Sequence, residues 1–340
     1  MRRRSLTTAA LGAGLLVLSA ATANADPGQP RSGHYSFAVI GDVPYGADQV
    51  AAFPGWVDRI NAERDVALTI HVGDIKNGSS RCDDSYFSFI REQFDRFTSP
   101  LIYSPGDNEW TDCHRANNGA YHPLERLDTI RDTFFTVPDR TLGRKPAKVD
   151  SQAELGHPEN VTLRQQGVSF TAVHVVGSNN DLAPWTGLGL TEPTAAQVAE
   201  ERARMTASID LVRSTFASAR QRQDRAVAIF LQADMFDPGY QPTWDISAFA
   251  PLVQALVDEA SAFDGEVYLF DGDSHEYHVD RPLAAGSSWL EIHGVDGSAD
   301  NLTRITVDGA AANANGFLKV TVNRPGAEQV LSWERIPYGS

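Results

Sequence analysis

The chain has 340 residues, 29 Lys and Arg against 44 Asp and Glu, and a formal charge of −15 at neutral pH. So acidic a chain is poorly matched to phosphate backbones, which draw on clustered lysine and arginine, and this argues against a nucleic-acid partner. Its 42% of hydrophobic residues can build one large core or two small ones.

The first 25 residues read as an address. Arg2, Arg3 and Arg4 form a basic start, an apolar run follows from Leu6 to Ala21, and Ala23-Asn24-Ala25 fits the small-residue rule for cleavage before Asp26. The run is shorter than the roughly 20 residues a membrane span needs. The expectation is a signal peptide over 1–25 and a secreted or periplasmic protein without a membrane span after cleavage. The arginine pair before Ser5-Leu6 leaves both the Sec and the twin-arginine route open, and an uncleaved anchor is the alternative. Residues 26–33, rich in Pro and Gly, read as a flexible leader, and 34–340 as a single domain. In an exported protein the two cysteines, Cys82 and Cys113, favour a disulfide over two separate thiols.

From Tyr35 the pattern becomes regular. Tyr35–Ile40, Val66–Val72 and Pro100–Ser104 are apolar runs, with helical spacing between them over Asp48–Ala62 and Asp83–Phe97. Such alternation predicts βαβ units and a largely parallel, buried sheet. Pro138–Gly167 has little periodicity and reads as a surface excursion. A strand is expected over Val168–Val176, a loop over Gly177–Glu192, and a long helix over Thr194–Arg222. Strands follow at Arg225–Leu231 and Glu266–Phe270, with a helix at Ile246–Phe263 between them. Trp289–His293, Thr303–Val307, Phe317–Val322 and Val330–Trp333 read as short strands paired antiparallel.

Three consecutive strands end in Gly41-Asp42, Gly73-Asp74 and Gly106-Asp107, and a later one in Gly272-Asp273-Ser-His275. Loops beyond the carboxyl ends of parallel strands form the usual binding crevice, so these carboxylates should converge. Crowded carboxylates repel and are driven toward protonation unless a divalent cation relieves them. One such Asp is ordinarily a turn residue or a helix cap; four at matching positions, joined by a histidine, point to a metal.

Order, strand context and spacing of these motifs resemble the calcineurin-like metallophosphoesterases, whose motifs run D-x-H, GD-x-x-D, GNH followed by D or E, a lone His, and GH-x-H. The matching residues here are Gly41-Asp-Val-Pro-Tyr45, Gly73-Asp-Ile-Lys-Asn77, Gly106-Asp-Asn-Glu109 and Gly272-Asp-Ser-His275. The resemblance implies a four-layer α/β/β/α sandwich with mixed sheets, later strands completing the second sheet. It implies Asp42, Asp74 and His275 at one metal position, and Asp74, Asp107, Asp273 and Gln232 at a second. The departures share a direction. Pro44, Asn77, Asp107, Asn108, Gln232 and Asp273 stand where the family carries His, Asp, Asn, His, His and His, so oxygen ligands largely replace nitrogen. Oxygen suits hard cations, so one or two Mn²⁺, Mg²⁺ or Ca²⁺ ions are expected in preference to Zn or Fe.

Asn108, at the place of the family's proton-delivering histidine, donates a hydrogen bond but no proton. His114 and Lys76 are the candidate substitutes, with Arg115 and Lys76 as phosphate-facing cations and Tyr45 near metal or substrate. The alternative for each is bland: a loop histidine, surface charges, a packed turn aromatic. On this reading Cys82 and Cys113 lie in loops leaving successive strands at one end of the sheet, where a disulfide would pin the crevice rim. The other histidines considered read as bland: His71 as core, His278 as solvent-facing, and His34, His122, His157 and His293 without partners. The implied activity is metal-dependent hydrolysis of small phosphate mono- or diesters outside the cytoplasm. Its rivals are a catalytically impaired metal- or phosphate-binding protein and a purely structural Ca²⁺ site. The substrate's identity and the oligomeric state are not legible.

Overall fold

The computed structural model describes residues 35–240, 244–309 and 316–339. The expected signal peptide, the leader and His34 lie outside the described residues. No helix among those described is long and apolar enough to cross a membrane.

The strands form two sheets. The first has β1 (Tyr35–Ile40), β2 (Val66–His71), β3 (Leu101–Tyr103), β11 (Gly316–Val322) and β12 (Leu331–Pro337) in the order β12-β11-β1-β2-β3. The second has β4 (Asp150–Gln152), β5 (His157–Gln165), β6 (Val168–Ala172), β7 (Ala226–Phe230), β8 (Glu266–Asp271), β9 (His278–Asp280) and β10 (Leu302–Thr306) in the order β4-β5-β6-β7-β8-β10-β9. β1, β2 and β3 run parallel, as do β6, β7, β8 and β10, while the remaining pairings are antiparallel.

The parallel strands read as unbroken apolar runs because both of their faces are covered. Alternate residues of β1 show it. Phe37 and Val39 enter the core between the sheets, while Ala38 and Ile40 face helices Gly46–Ala62, Asp84–Phe94 and Pro123–Phe134. Phe37 is a hub there, its ring centroid 5.2, 6.0 and 6.1 Å from those of Phe170, Phe230 and Phe270. On the far side, Val227, Ile229, Val267 and Leu269 pack against helices Ala195–Arg222 and Ala250–Ser261. The result is the four-layer α/β/β/α sandwich with mixed sheets. The long helix starts where its cap demands: Thr194 Oγ1 accepts the Gln197 N–H, and Gln197 accepts the Thr194 N–H in return.

Several expectations need correction. The late strands do not all complete the second sheet: β11 and β12 finish the first, and β10 lies parallel to β8. Trp289–His293 is largely helix (Ser288–Ile292), started by Ser287 accepting the Trp289 N–H. Pro138–Gly167 is no mere excursion, since β4 and β5 extend the second sheet. Helix Pro123–Phe134 was not expected at all. Two histidines read as partnerless have partners: Arg131 approaches His157 Nδ1, and His293 Nε2 meets the Met235 carbonyl. His174, which drew no attention in the sequence, lies fully buried against Glu159 at 2.9 Å.

Candidate metal centre

The strand ends deliver the motif residues in a shared backbone conformation. Asp42, Asp74, Asp273 and His275 all have positive φ, between 54° and 67°. Side chains other than Asn, Asp and Gly rarely sit there, and such geometry concentrates at functional sites. The loops approach closely enough to exclude a side chain: a Cβ on Gly106 would stand 2.1 Å from Asp74 Oδ1.

Two groups of ligand atoms result. Asp42, Asp74 and His275 offer atoms all within 4.8 Å of one another, and so do Asp74, Asp107 and Asp273. Asp74 belongs to both. Burial pushes Asp42 up to about 8, with Asp107 and Glu109 adding repulsion. Burial and the charges of Asp107, Glu109, Asp42 and Asp273 push Asp74 well above the usual carboxylate range. A cation at either group would relieve that cost, so the donor set fits one or two divalent ions.

Neighbours hold the carboxylates in place. Asp74 Oδ2 accepts from the Tyr45 hydroxyl at 2.9 Å, Asn108 Nδ2 at 2.8 Å and Gln232 Nε2 at 3.2 Å. Gln232 also donates to Asp107 Oδ1, and its oxygen is taken by the Gly177 N–H at 2.7 Å. The residue expected as a ligand therefore faces the cluster with its nitrogen, as a donor. Glu109 Oε1 accepts from Gly106 N–H, Tyr103 hydroxyl and Asp74 N–H, which clamps the second motif to the third. His71, the expected core histidine, spans the first and second motifs: Nε2 meets the Val43 carbonyl at 2.9 Å and Nδ1 accepts the Gly73 N–H at 3.2 Å.

One participant was missed. Ser178, Asn179, Asn180 and Asp181 form a run of left-handed residues, with φ from 51° to 71°. The turn is fastened from outside, where Asn180 binds Glu201 and Arg204, and the Asp181 carbonyl accepts from Gln197. It thereby carries Ser178 Oγ to 2.8 Å from Asp107 Oδ2 and Gly177 against the carboxylates. The Asn-Asn-Asp run is the sequence signal that could have flagged it, since these residues tolerate the left-handed region.

Above the clusters lies a cavity of about 680 Å³. Tyr45, Asp74, Asp107, Asn108, Asp273, His275 and Arg115 line it. Arg115 ion-pairs with Asp112, another lining residue, at 2.6 Å. Lys76 and His114 do not reach it. Lys76 is 1% exposed and donates to the carbonyls of Asn77 and Asn108. His114 is buried, its Nδ1 accepts the Gly187 N–H at 3.0 Å, and burial pulls it down to about 4. Both serve the loops' architecture; neither touches the space where a substrate would sit. Cys82 and Cys113 form a disulfide with Cα atoms 5.8 Å apart, joining the loops after the second and third motifs.

Residues 35–180 match the family model of the calcineurin-like phosphoesterases. The matched span is less than half of the chain. The phosphoesterase match includes Asp42, Asp74, Asp107 and Ser178; Gln232, Asp273 and His275 lie beyond it and are brought in by the fold. Comparison with curated proteins gives no match. Among solved structures, the chain is similar to GAP50, the anchor in the inner membrane complex of Plasmodium, at 11% identity and a TM-score of 0.49, covering 90% of this chain and 85% of that one. It is similar to the purple acid phosphatase PPD1 of yellow lupin at 13% identity and 0.48, covering 92% of this chain and 52% of that one. The phosphopantetheinyl hydrolase of Mycobacterium tuberculosis stands at 12% identity and 0.41, covering 88% and 96%. Likenesses this distant carry no conclusion about substrate.

Proposed function

We propose that this chain is a divalent-metal-dependent hydrolase of small phosphate mono- or diesters, working outside the cytoplasm in a single domain (34–340) that follows a cleaved signal peptide. The observation that carries the reading is the pair of acidic clusters sharing Asp74 beneath a cavity wide enough for a small molecule. Asp42, Asp74 and His275 would hold one ion, and Asp74, Asp107 and Asp273 another. The oxygen-rich set favours Mn²⁺, Mg²⁺ or Ca²⁺ over Zn or Fe. Bound there, the metal supplies Lewis-acid polarisation of a phosphoryl group and charge for its oxygens.

The rest is the work of the chain's own groups. Tyr45, Asn108 and Gln232 orient Asp74 by hydrogen bonds, and Ser178 orients Asp107. Arg115, at the cavity wall, offers a cation to the phosphate. Asn108 gives its side-chain N–H groups to Asp74 and to the Tyr45 hydroxyl, and delivers no proton.

One observation favours a second reading, a phosphate- or metal-binding protein that has lost turnover: His114 and Lys76, the sequence's two candidate proton donors, are both withdrawn from the cavity. Elemental analysis of protein purified without chelators, paired with hydrolysis of an aryl phosphate before and after EDTA, separates the two. EDTA-sensitive turnover supports the hydrolase. Bound metal without turnover over a broad ester panel leaves the binding protein.

A further inference from the structure

The two clusters share Asp74 but are not equally ready for a cation. On the Asp42 side, the carboxylate accepts the Asp273 N–H at 3.1 Å, and His275 Nε2 stands 3.5 Å from Asp42 Oδ1. The Tyr45 hydroxyl lies 3.4 Å from the same oxygen. A hydroxyl can turn its proton aside, and a neutral imidazole has a nitrogen lone pair to give, so neither group opposes an ion. On the Asp107 side both oxygens are taken, Oδ1 by Gln232 Nε2 at 3.3 Å and Oδ2 by Ser178 Oγ at 2.8 Å. The same Gln232 nitrogen lies 3.2 Å from Asp74 Oδ2, so it stands between the two carboxylates that a second ion has to bridge. An amide N–H₂ carries partial positive charge and no available lone pair, the polarity of the ion itself. Gln232 cannot reverse that polarity at no cost. It is fully buried, and its Oε1 accepts the Gly177 N–H at 2.7 Å. Turning the amide over sets nitrogen against that N–H and leaves buried donors facing each other. Gly177 cannot follow, because the left-handed turn after it is held through Asn180 by Arg204 and Glu201.

We infer that the centre fills in two unequal steps. An ion enters the Asp42, Asp74 and His275 cluster first, and the Gln232 amide holds the Asp74, Asp107 and Asp273 position against a second. This order of loading rests on the divalent-metal reading of the site and goes beyond it in giving the two positions different affinities. The second ion enters only by displacing the amide from two carboxylates or by parting it from Gly177. Occupancy of the second position, and any turnover that needs both ions, therefore follows the free concentration of the metal.

Calorimetric titration of the chelator-treated, dialysed protein with Mn²⁺ tests the order without recourse to activity. The parent should show two steps, the second at least about tenfold weaker, the size of effect exerted by groups that contact metal ligands. His275→Ala should weaken the tight step and Asp273→Asn the weak one; both residues are only half-buried, so neither change threatens the fold. Gln232→Glu keeps an oxygen for the Gly177 N–H and puts a second oxygen in place of the amide nitrogen. It should tighten the second step at least about tenfold and the first by much less. A single bound ion that His275→Ala releases and Asp273→Asn retains is the limiting form of the same order and supports it. Two equal steps in the parent, loss of the tight step in Asp273→Asn, or a folded Gln232→Glu variant that loads as the parent does, overturns the proposed order. Should Gln232→Glu fail to fold, the parent, His275→Ala and Asp273→Asn decide alone. A parent that takes up no Mn²⁺ removes the metal reading itself, whereas one that binds two ions equally keeps that reading and removes only the order.

Discussion

Replacing Gly177 by alanine asks directly whether Asp107 and Asp273 hold a metal. A Cβ there would stand 2.7 Å from Asp107 Oδ2 and 2.8 Å from Asp273 Oδ2, whereas ordinary contact begins at 3.4 Å. Both carboxylates must therefore yield by about 0.6–0.7 Å, by difference from those contacts. Overpacking of this kind costs about 1–3 kcal/mol, offset by about 0.4–1 kcal/mol because alanine restricts the unfolded chain. The net loss of about 1–2 kcal/mol lowers Tm by roughly 2–3 °C in a protein of this size. The larger effect falls on the metal. Two proposed ligands move together, so Mn²⁺ affinity measured by calorimetry should drop at least about tenfold. Gly55→Ala is the control: nothing lies within 4 Å of its Cβ and it sits inside helix Gly46–Ala62, so it should stabilise by about 0.5–1 kcal/mol with unchanged Mn²⁺ affinity. If Gly177→Ala lowers Tm yet binds Mn²⁺ as tightly as the parent, Asp107 and Asp273 are not ligands.

Other outcomes follow from features away from the clusters. Reducing the Cys82–Cys113 bond, or replacing both cysteines by alanine, should cost about 4 kcal/mol in denaturant unfolding, from the loop it closes across a separation of 31; an unchanged midpoint would mean that the loops hold themselves. Arg304→Met leaves Asp234 buried beside Asp271 without its cationic partner and should cost about 3–5 kcal/mol in the same assay. Burial pulls both His71 and His174 down to about 4, so the folded state refuses protons that the unfolded chain accepts. That stability is present above about pH 6.5 and is lost as pH falls toward 4, at about 3 kcal/mol per histidine. His71→Gln should flatten melting between pH 6.5 and 4 by its share, and an unchanged slope would refute the assignment. Chelation should lower Tm, and Mn²⁺ at a hundred times its Kd should restore about 2.7 kcal/mol.

Much of the fold was legible because β1, β7 and β8 are covered on both faces, and continuous burial writes itself as continuous apolar runs. The ordered Gly-Asp strand ends were legible for a related reason, since tight loops above parallel strands need those residue types. What failed had no local signature. Trp289–His293 alternates like a strand, but its capping Ser287 and packing on the outer helical layer decide otherwise. Gln232 looked like an oxygen ligand, yet which amide atom faces the cluster depends on the Gly177 N–H, 55 positions away. Lys76 and His114 sit close to the motifs in sequence, but the loops fold them beneath the crevice, a direction that spacing does not encode.

The seat of β1 has a consequence in time. Asp42, the first carboxylate of the centre, hangs from a strand paired with β2 on one side and with β11 on the other, so that Tyr35 lies opposite Val322. Until the last strands arrive, β1 is a sheet margin with free N–H and C=O groups and Phe37 and Val39 incompletely covered. Pairings between such distant segments form slowly, and bare margins recruit other chains. The centre can therefore be assembled only late in folding, and a chain cut short before β11 would lose the support of Asp42 and expose an aggregation-prone edge in the same stroke.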